Sequence, residues 1–164
     1  MSRAVVLLLL LSAIGFSQSK PSSAQSAFKK ILQLQGDWEG KDADGNAVRT
    51  SFKPVISGTA VMETLSPSGM EEMMSLYSVD GQGIQLAHYC PTNNQPRMRA
   101  VTPDADPKEL DFQFTGAGNL PDVSVGHQHR MVLQFEDADH ITETWTWRHG
   151  NHDMPMVLHL SRKK

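Results

Sequence analysis

This chain has a single cysteine, Cys90, so no intrachain disulfide is available and the fold has to be held by its own core. It has no long apolar run either. The longest, Ala4 to Leu11, is too short to span a bilayer. Basic runs are missing apart from the terminal Arg162-Lys163-Lys164, and 15 Lys plus Arg stand against 18 Asp plus Glu, for a net charge of −3. That balance argues against nucleic acid and against an anionic membrane surface as partners. No His-Glu-x-x-His or comparable local metal spacing occurs. Past residue 36 there is no second helical period.

What is present begins with an address. Arg3 supplies a short basic segment, Ala4 to Leu11 an apolar stretch, and Gly15 and Ser17 put small residues at −3 and −1 of a cut before Gln18. A cut after Ala24 is the alternative. With no cysteine after the apolar stretch, a lipid anchor is not expected. The reading is a signal peptide at 1–17, a Ser/Gln/Pro-rich spacer at 18–23 and one domain at 24–164, exported to the periplasm or secreted. The mature chain of 147 residues suffices for one domain with a sizeable interior. Removal of Arg3 leaves it slightly more acidic, and no membrane insertion is expected once the signal is cut.

One helix is expected. Ser22 or Ser23 caps it, Ala24, Ala27, Phe28, Ile31 and Leu32 form one apolar stripe, and Gly36 lies just past its end. From there the pattern turns to short β-type runs at 36–41, 46–55, 59–65, 71–79, 83–90, 96–102, 109–115, 127–136, 140–148 and 154–162. Turn chemistry separates most of them: Asp42-Ala43-Asp44-Gly45, Ser57-Gly58, Ser66-Pro67-Ser68-Gly69 and Asp80-Gly81. Sequential hairpins without crossover segments favour an all-β meander closed into a single antiparallel up-and-down barrel of about ten strands, the helix plugging one end. The long Gly-bearing stretch 116–126 reads as a mobile loop.

Alternation assigns faces. His127, His129, Met131, Leu133 and Phe135 are expected inward, with Gln128, Arg130 and Gln134 outward. Ile84, Leu86, His88 and Cys90 form a second inward set, and Ile141, Glu143, Trp145 and Trp147 a third. Counting strands alternately brings His88, Cys90, His127, His129, Trp147 and His149, with His152 beside them, to the end away from the helix. Pairing through Glu136 to His140 sets Leu133 opposite Glu143, His129 opposite Trp147 and His127 opposite His149. The expectation is a histidine-lined mouth at one end and a plug at the other.

Gly36-Asp37-Trp38 on the first strand, with Arg162 on the last, resembles the calycin superfamily of lipocalins, fatty-acid-binding proteins and nitrobindin-like proteins. Asp80-Gly81, His88-Tyr89-Cys90 and Asn94 to Met98 are similar to an uncharacterised family of secreted bacterial calycin-like proteins. The resemblance covers residues 24–164, without a Thr-Asp-Tyr lipocalin motif. It implies that Trp38 packs across the closed end and that Arg162 stacks on it.

Imidazoles at such a mouth can ligate a transition metal or haem iron, hydrogen-bond a polar ligand head, act as acid and base, or merely satisfy backbone groups at strand ends. Glu143, an inward carboxylate among Trp and Ile, is expected to be paired or neutral. Arg97 either faces solvent or, pointing inward, holds a ligand carboxylate. Cys90 reads as a small hydrophobe rather than a nucleophile, and nine methionines suit both core filling and an adaptable binding surface. The favoured function is binding of a small, mainly apolar molecule in the lumen, with no cofactor required. A haem- or metal-binding barrel and a cofactor-free isomerase or lyase are the alternatives. No nucleophile, base and orienting group are brought together by spacing, so enzyme activity is the least favoured.

Overall fold

The computed structural model describes residues 22–102 and 106–164. The expected signal peptide and all of the spacer before Ser22 lie outside the described residues. Helix α1 (Ser23–Gln33) begins where a serine cap was expected. Ser22 accepts from the backbone N–H of Gln25, and the Gln25 side chain answers by accepting from the Ser22 N–H. Its apolar stripe is buried at Ala24, Ala27, Phe28 and Ile31. The helix closes at Leu34 in ordinary right-handed geometry, so Gly36 is not its cap. Gly36 instead opens the first strand with φ +125°.

Ten strands follow: β1 (Gly36–Asp42), β2 (Ala47–Val55), β3 (Ala60–Pro67), β4 (Met73–Asp80), β5 (Gly83–Tyr89), β6 (Gln95–Val101), β7 (Glu109–Gly118), β8 (His127–Phe135), β9 (His140–His149) and β10 (His152–Arg162). Each pairs antiparallel with its sequence neighbours, and β1 pairs with β10 to close the barrel. Closure leaves no free sheet edge for another chain to extend. The first and last strands meet at Gly40, whose backbone lies so near β10 that an added Cβ would fall within 2.8 Å of the His159 carbonyl carbon. β4 starts at Met73, which puts Met73, Ser75 and Tyr77 on the buried face and leaves Met74 outside. The stretch expected to be a mobile loop is shorter, because β7 runs on to Gly118. What remains is tied down by Gly150 N–H to Ser124 O at 2.9 Å and by Asn94 Nδ2–H to Gly126 O at 3.0 Å.

The helix lies across one end of the barrel, and Trp38 is the hinge of that closure. Its ring is 1 % exposed, sits edge-on to Phe52, and donates Nε1–H to Leu34 O at 2.8 Å. Arg162, directly opposite in the β1–β10 register, stacks its guanidinium 4.3 Å from the Trp38 ring. The same guanidinium donates to the carbonyls of Gln33, Gln35 and Ala138. The last carbonyl of α1, which an isolated helix leaves without a partner, is thereby satisfied by the last strand, while those of Ile31 and Leu32 are met by the backbone N–H groups of Leu34 and Gln35. Lys30 completes the seal through Asp106, Pro107 O and the face of Phe135.

Inside, the barrel is filled by its own side chains. Phe52, Tyr77, Phe112, Met98, Met131, Leu133 and Trp145 are all at or near zero exposure. Ten strands enclose a wider space than eight, and large aromatic and thioether residues occupy it.

Candidate functional site

The strand count brings His88, Cys90, His127, His129, Trp147, His149 and His152 to the end of the barrel away from α1, as alternation predicts. It does not bring them to one cavity. His149 and His152 face each other across a tight hairpin and are exposed. Arg97 is exposed on the outer face, since its neighbours Pro96 and Met98 take the buried positions. It is therefore not poised to hold a ligand inside.

The histidines of β8 are moved by an irregularity that the sequence does not announce. Pairing of β8 with β9 runs regularly from Phe135 to Arg130, with Leu133 opposite Glu143 as expected, and then skips a residue. Gln128, not His129, stands opposite Trp147, and His127 stands opposite Arg148 rather than His149. Opposed residues share a face, so this bulge carries Gln128 to the side of Trp147 and sends His127 to the side of Arg148. There His129 stacks on Phe114, His127 packs against the same ring at a tilt, and the two imidazoles form a directed chain. Arg148 has only donors, so His129 Nε2 accepts from it at 2.6 Å. His129 Nδ1–H then donates to His127 Nε2 at 3.1 Å, and His127 Nδ1–H donates to Val125 O at 2.7 Å. Asp153 grips the other edge of Arg148 with two bonds. Burial, with Arg148 and His127 adjacent, pushes His129 below the ordinary imidazole value, which suits its role as acceptor.

The groove at this end has a volume of about 450 Å³ and is lined chiefly by Met73, Trp145, Trp147, Met154, Met156 and Gln128, with Cys90 and Thr92 at its rim. Cys90 and Thr92 hydrogen-bond each other at 2.9 Å. Gln128 is 9 % exposed, and its Oε1 is buried without a partner. A neighbouring depression of about 500 Å³ lies across the Met73–Cys90 rim, with Glu71 and Glu72 in its wall.

Behind Trp145 lies a second, wholly buried cluster. Glu143 and Glu63 are both at 0 % exposure. Tyr77 donates to Glu63 at 2.6 Å and Thr50 at 3.1 Å, while Trp145 Nε1–H donates to Glu143 Oε2 at 2.9 Å. Burial raises Glu63, and burial together with the adjacent Glu63 drives Glu143 well above the usual carboxylate range. Two carboxylates this close in a dry interior cannot both ionise. Burial and the neighbouring Glu63 keep Glu143 protonated. The Glu143 oxygen that Trp145 does not use, Oε1, is buried without a hydrogen-bond partner. The expectation that Glu143 is paired or neutral is thus met by Glu63, which alternation on β3 (Val61, Glu63, Leu65) would have placed inward.

His88 belongs to this interior cluster. It shares a 3.0 Å hydrogen bond with Ser75 Oγ, packs at a tilt against Trp145 at 4.7 Å between ring centroids, and leaves Nε2 buried with no partner. Burial lowers its pKa to about 4. Glu63, Tyr77, His88 and Glu143 do not line the groove, which meets them only through Trp145. Among the described residues no group of three or more His, Cys, Asp or Glu side chains is placed to hold a metal ion, and no helix is long and apolar enough to cross a membrane.

No family model matches the chain, and no curated protein matches it. Among solved structures it is similar to a protein of unknown function from the DUF3598 family of Nostoc punctiforme, at 11% sequence identity and a TM-score of 0.44. The match covers 81% of this chain and 49% of that one, so this chain spans about half the length of that protein.

Proposed function

We propose that this protein is an exported, calycin-like barrel that binds a small, mainly apolar molecule at its open end. The observation that carries the reading is the groove of about 450 Å³ whose wall is made of indole and thioether groups. Its size falls within the range of small-molecule sites, and flexible methionines beside rigid tryptophans form a surface that fits flat apolar ligands. The ligand position differs from a lumenal one for a steric reason. Tyr77, Phe112, Met131 and Trp145 already occupy the centre of the barrel.

The test is a titration with N-phenyl-1-naphthylamine, read by its own emission and by quenching of the tryptophans. Saturable binding at micromolar or lower Kd is expected, and Met154→Glu, which sets a charge in an exposed part of the wall, should weaken it at least tenfold. Absence of saturable binding, or binding indifferent to Met154→Glu and Trp147→Ala, would refute the reading.

A further inference from the structure

The groove wall is mainly apolar, and one buried polar atom in it is unsatisfied. Gln128 reaches the inner face only because of the bulge that sets it opposite Trp147; unbroken alternation would have put it outside. Bulges of this kind re-aim single side chains next to binding sites. The re-aimed group is an amide more than nine-tenths buried in the groove wall, with an acceptor oxygen that no donor in the protein meets. Nearby, the Trp145 N–H is committed to Glu143, and Cys90 and Thr92 to each other. A buried acceptor left alone is costly, and the cost is relieved by a donor brought in from outside.

We infer that the ligand of this groove is a flat, apolar molecule carrying a hydrogen-bond donor, a phenol-type O–H or an indole-type N–H, that bonds to Gln128 Oε1. The inference rests on the proposed binding at the open end and adds the ligand's polarity and the residue that reads it. The indoles of Trp145 and Trp147 and the thioethers of Met73, Met154 and Met156 supply the apolar contact, which accepts many flat molecules alike. Gln128 supplies discrimination. A site built to hydrogen-bond a ligand group rejects the analogue lacking it, because the buried partner is then left unpaired.

Three related naphthalene probes test this on the full mature chain: 2-naphthol, which donates, 2-methoxynaphthalene, which only accepts, and naphthalene, which does neither. Each is titrated by tryptophan quenching or calorimetry against the wild-type protein and Gln128→Leu. The wild type should bind 2-naphthol at least about tenfold more tightly than either of the others. Gln128→Leu should lose that preference while still binding naphthalene. Equal affinity for the three probes, or preference for the methyl ether, overturns the inference and leaves apolar binding at the open end intact. A preference for 2-naphthol that survives in Gln128→Leu overturns the assignment to Gln128. If no probe binds saturably, the proposed function fails and the inference fails with it. Should Gln128→Leu not fold, as judged by near-UV circular dichroism, Gln128→Met serves in its place and the wild-type probe series still decides.

Discussion

Trp145 and Glu143, two residues apart on one face of β9, join the two halves of this molecule: the indole N–H of one donates at 2.9 Å to the carboxyl of the other, while the indole ring forms part of the groove wall. A ligand bound as proposed would rest on a ring whose N–H is held by a buried acid. That acid is in turn held neutral by burial and by Glu63. Stability and the shape of the groove therefore depend on the same proton.

Replacing Glu143 by Gln should make the protein less sensitive to alkali. The folded chain retains a proton that the unfolded chain gives up above its ordinary carboxyl value of 4.5. This stability is therefore fully present below that value and is lost as pH rises through the raised folded-state value. Urea melts from pH 4.5 to 8.5 should show Glu143→Gln gaining on the wild type by up to about 1.4 kcal/mol per pH unit within that window. Parallel curves would mean that Glu143 is ionised in the fold.

His88 should act with the opposite sign. Its folded-state pKa is lowered from 6.5 to about 4 by burial, so between those values the unfolded chain binds a proton that the folded chain refuses. Its stabilising effect is present above pH 6.5 and is lost as pH falls toward 4, a difference of about 3 kcal/mol. The same melts on His88→Gln, which keeps a partner for Ser75, should lose this acid slope. A slope unchanged in the variant would place the titration elsewhere.

Trp38→Ala should cost about 3–5 kcal/mol, because it opens a cavity beneath α1 and strands the Arg162 stack. Arg162→Ala alone removes the donors that satisfy Gln33 O, Gln35 O and Ala138 O and should cost about 2–3 kcal/mol. In the double variant the losses should fall short of additive by about 0.5–2 kcal/mol, the coupling of ring and guanidinium. Strict additivity in chemical denaturation would show that the two act independently.

Gly126→Ala should disturb the groove without replacing any residue of its wall. A Cβ at Gly126 would press on the indole of Trp147, within 2.9 Å of Cε2. Displacing that ring should cost about 1–3 kcal/mol, red-shift tryptophan emission and weaken binding of N-phenyl-1-naphthylamine. Unaltered emission and affinity would show that Trp147 does not rest on this glycine.

The histidines show where sequence reading stops. Alternation is a strictly local rule, so it placed Ile84, Leu86 and His88 inward on β5 and Glu143 and Trp145 inward on β9, where the ladders are regular. It mis-set His127 and Gln128 because one skipped residue between Gln128 and Arg130 inverts every face beyond it. Gln128, the one polar member of the groove wall with an unpaired buried acceptor, was for that reason assigned to the outside.

Local chemistry alone determined the capped helix, the ten strands and their order, whereas the stacking of Arg162 on Trp38 was implied by the resemblance and not by local pattern. Caps, turns and period-two alternation are written within a few residues of each other, and a meander has few ways to close. Tertiary structure alone decided that Glu63 lies beside Glu143, that large side chains fill the lumen and leave a groove at the mouth, and that β8 bulges at its start. Those outcomes depend on volumes and registers summed around the whole barrel, which no single strand records.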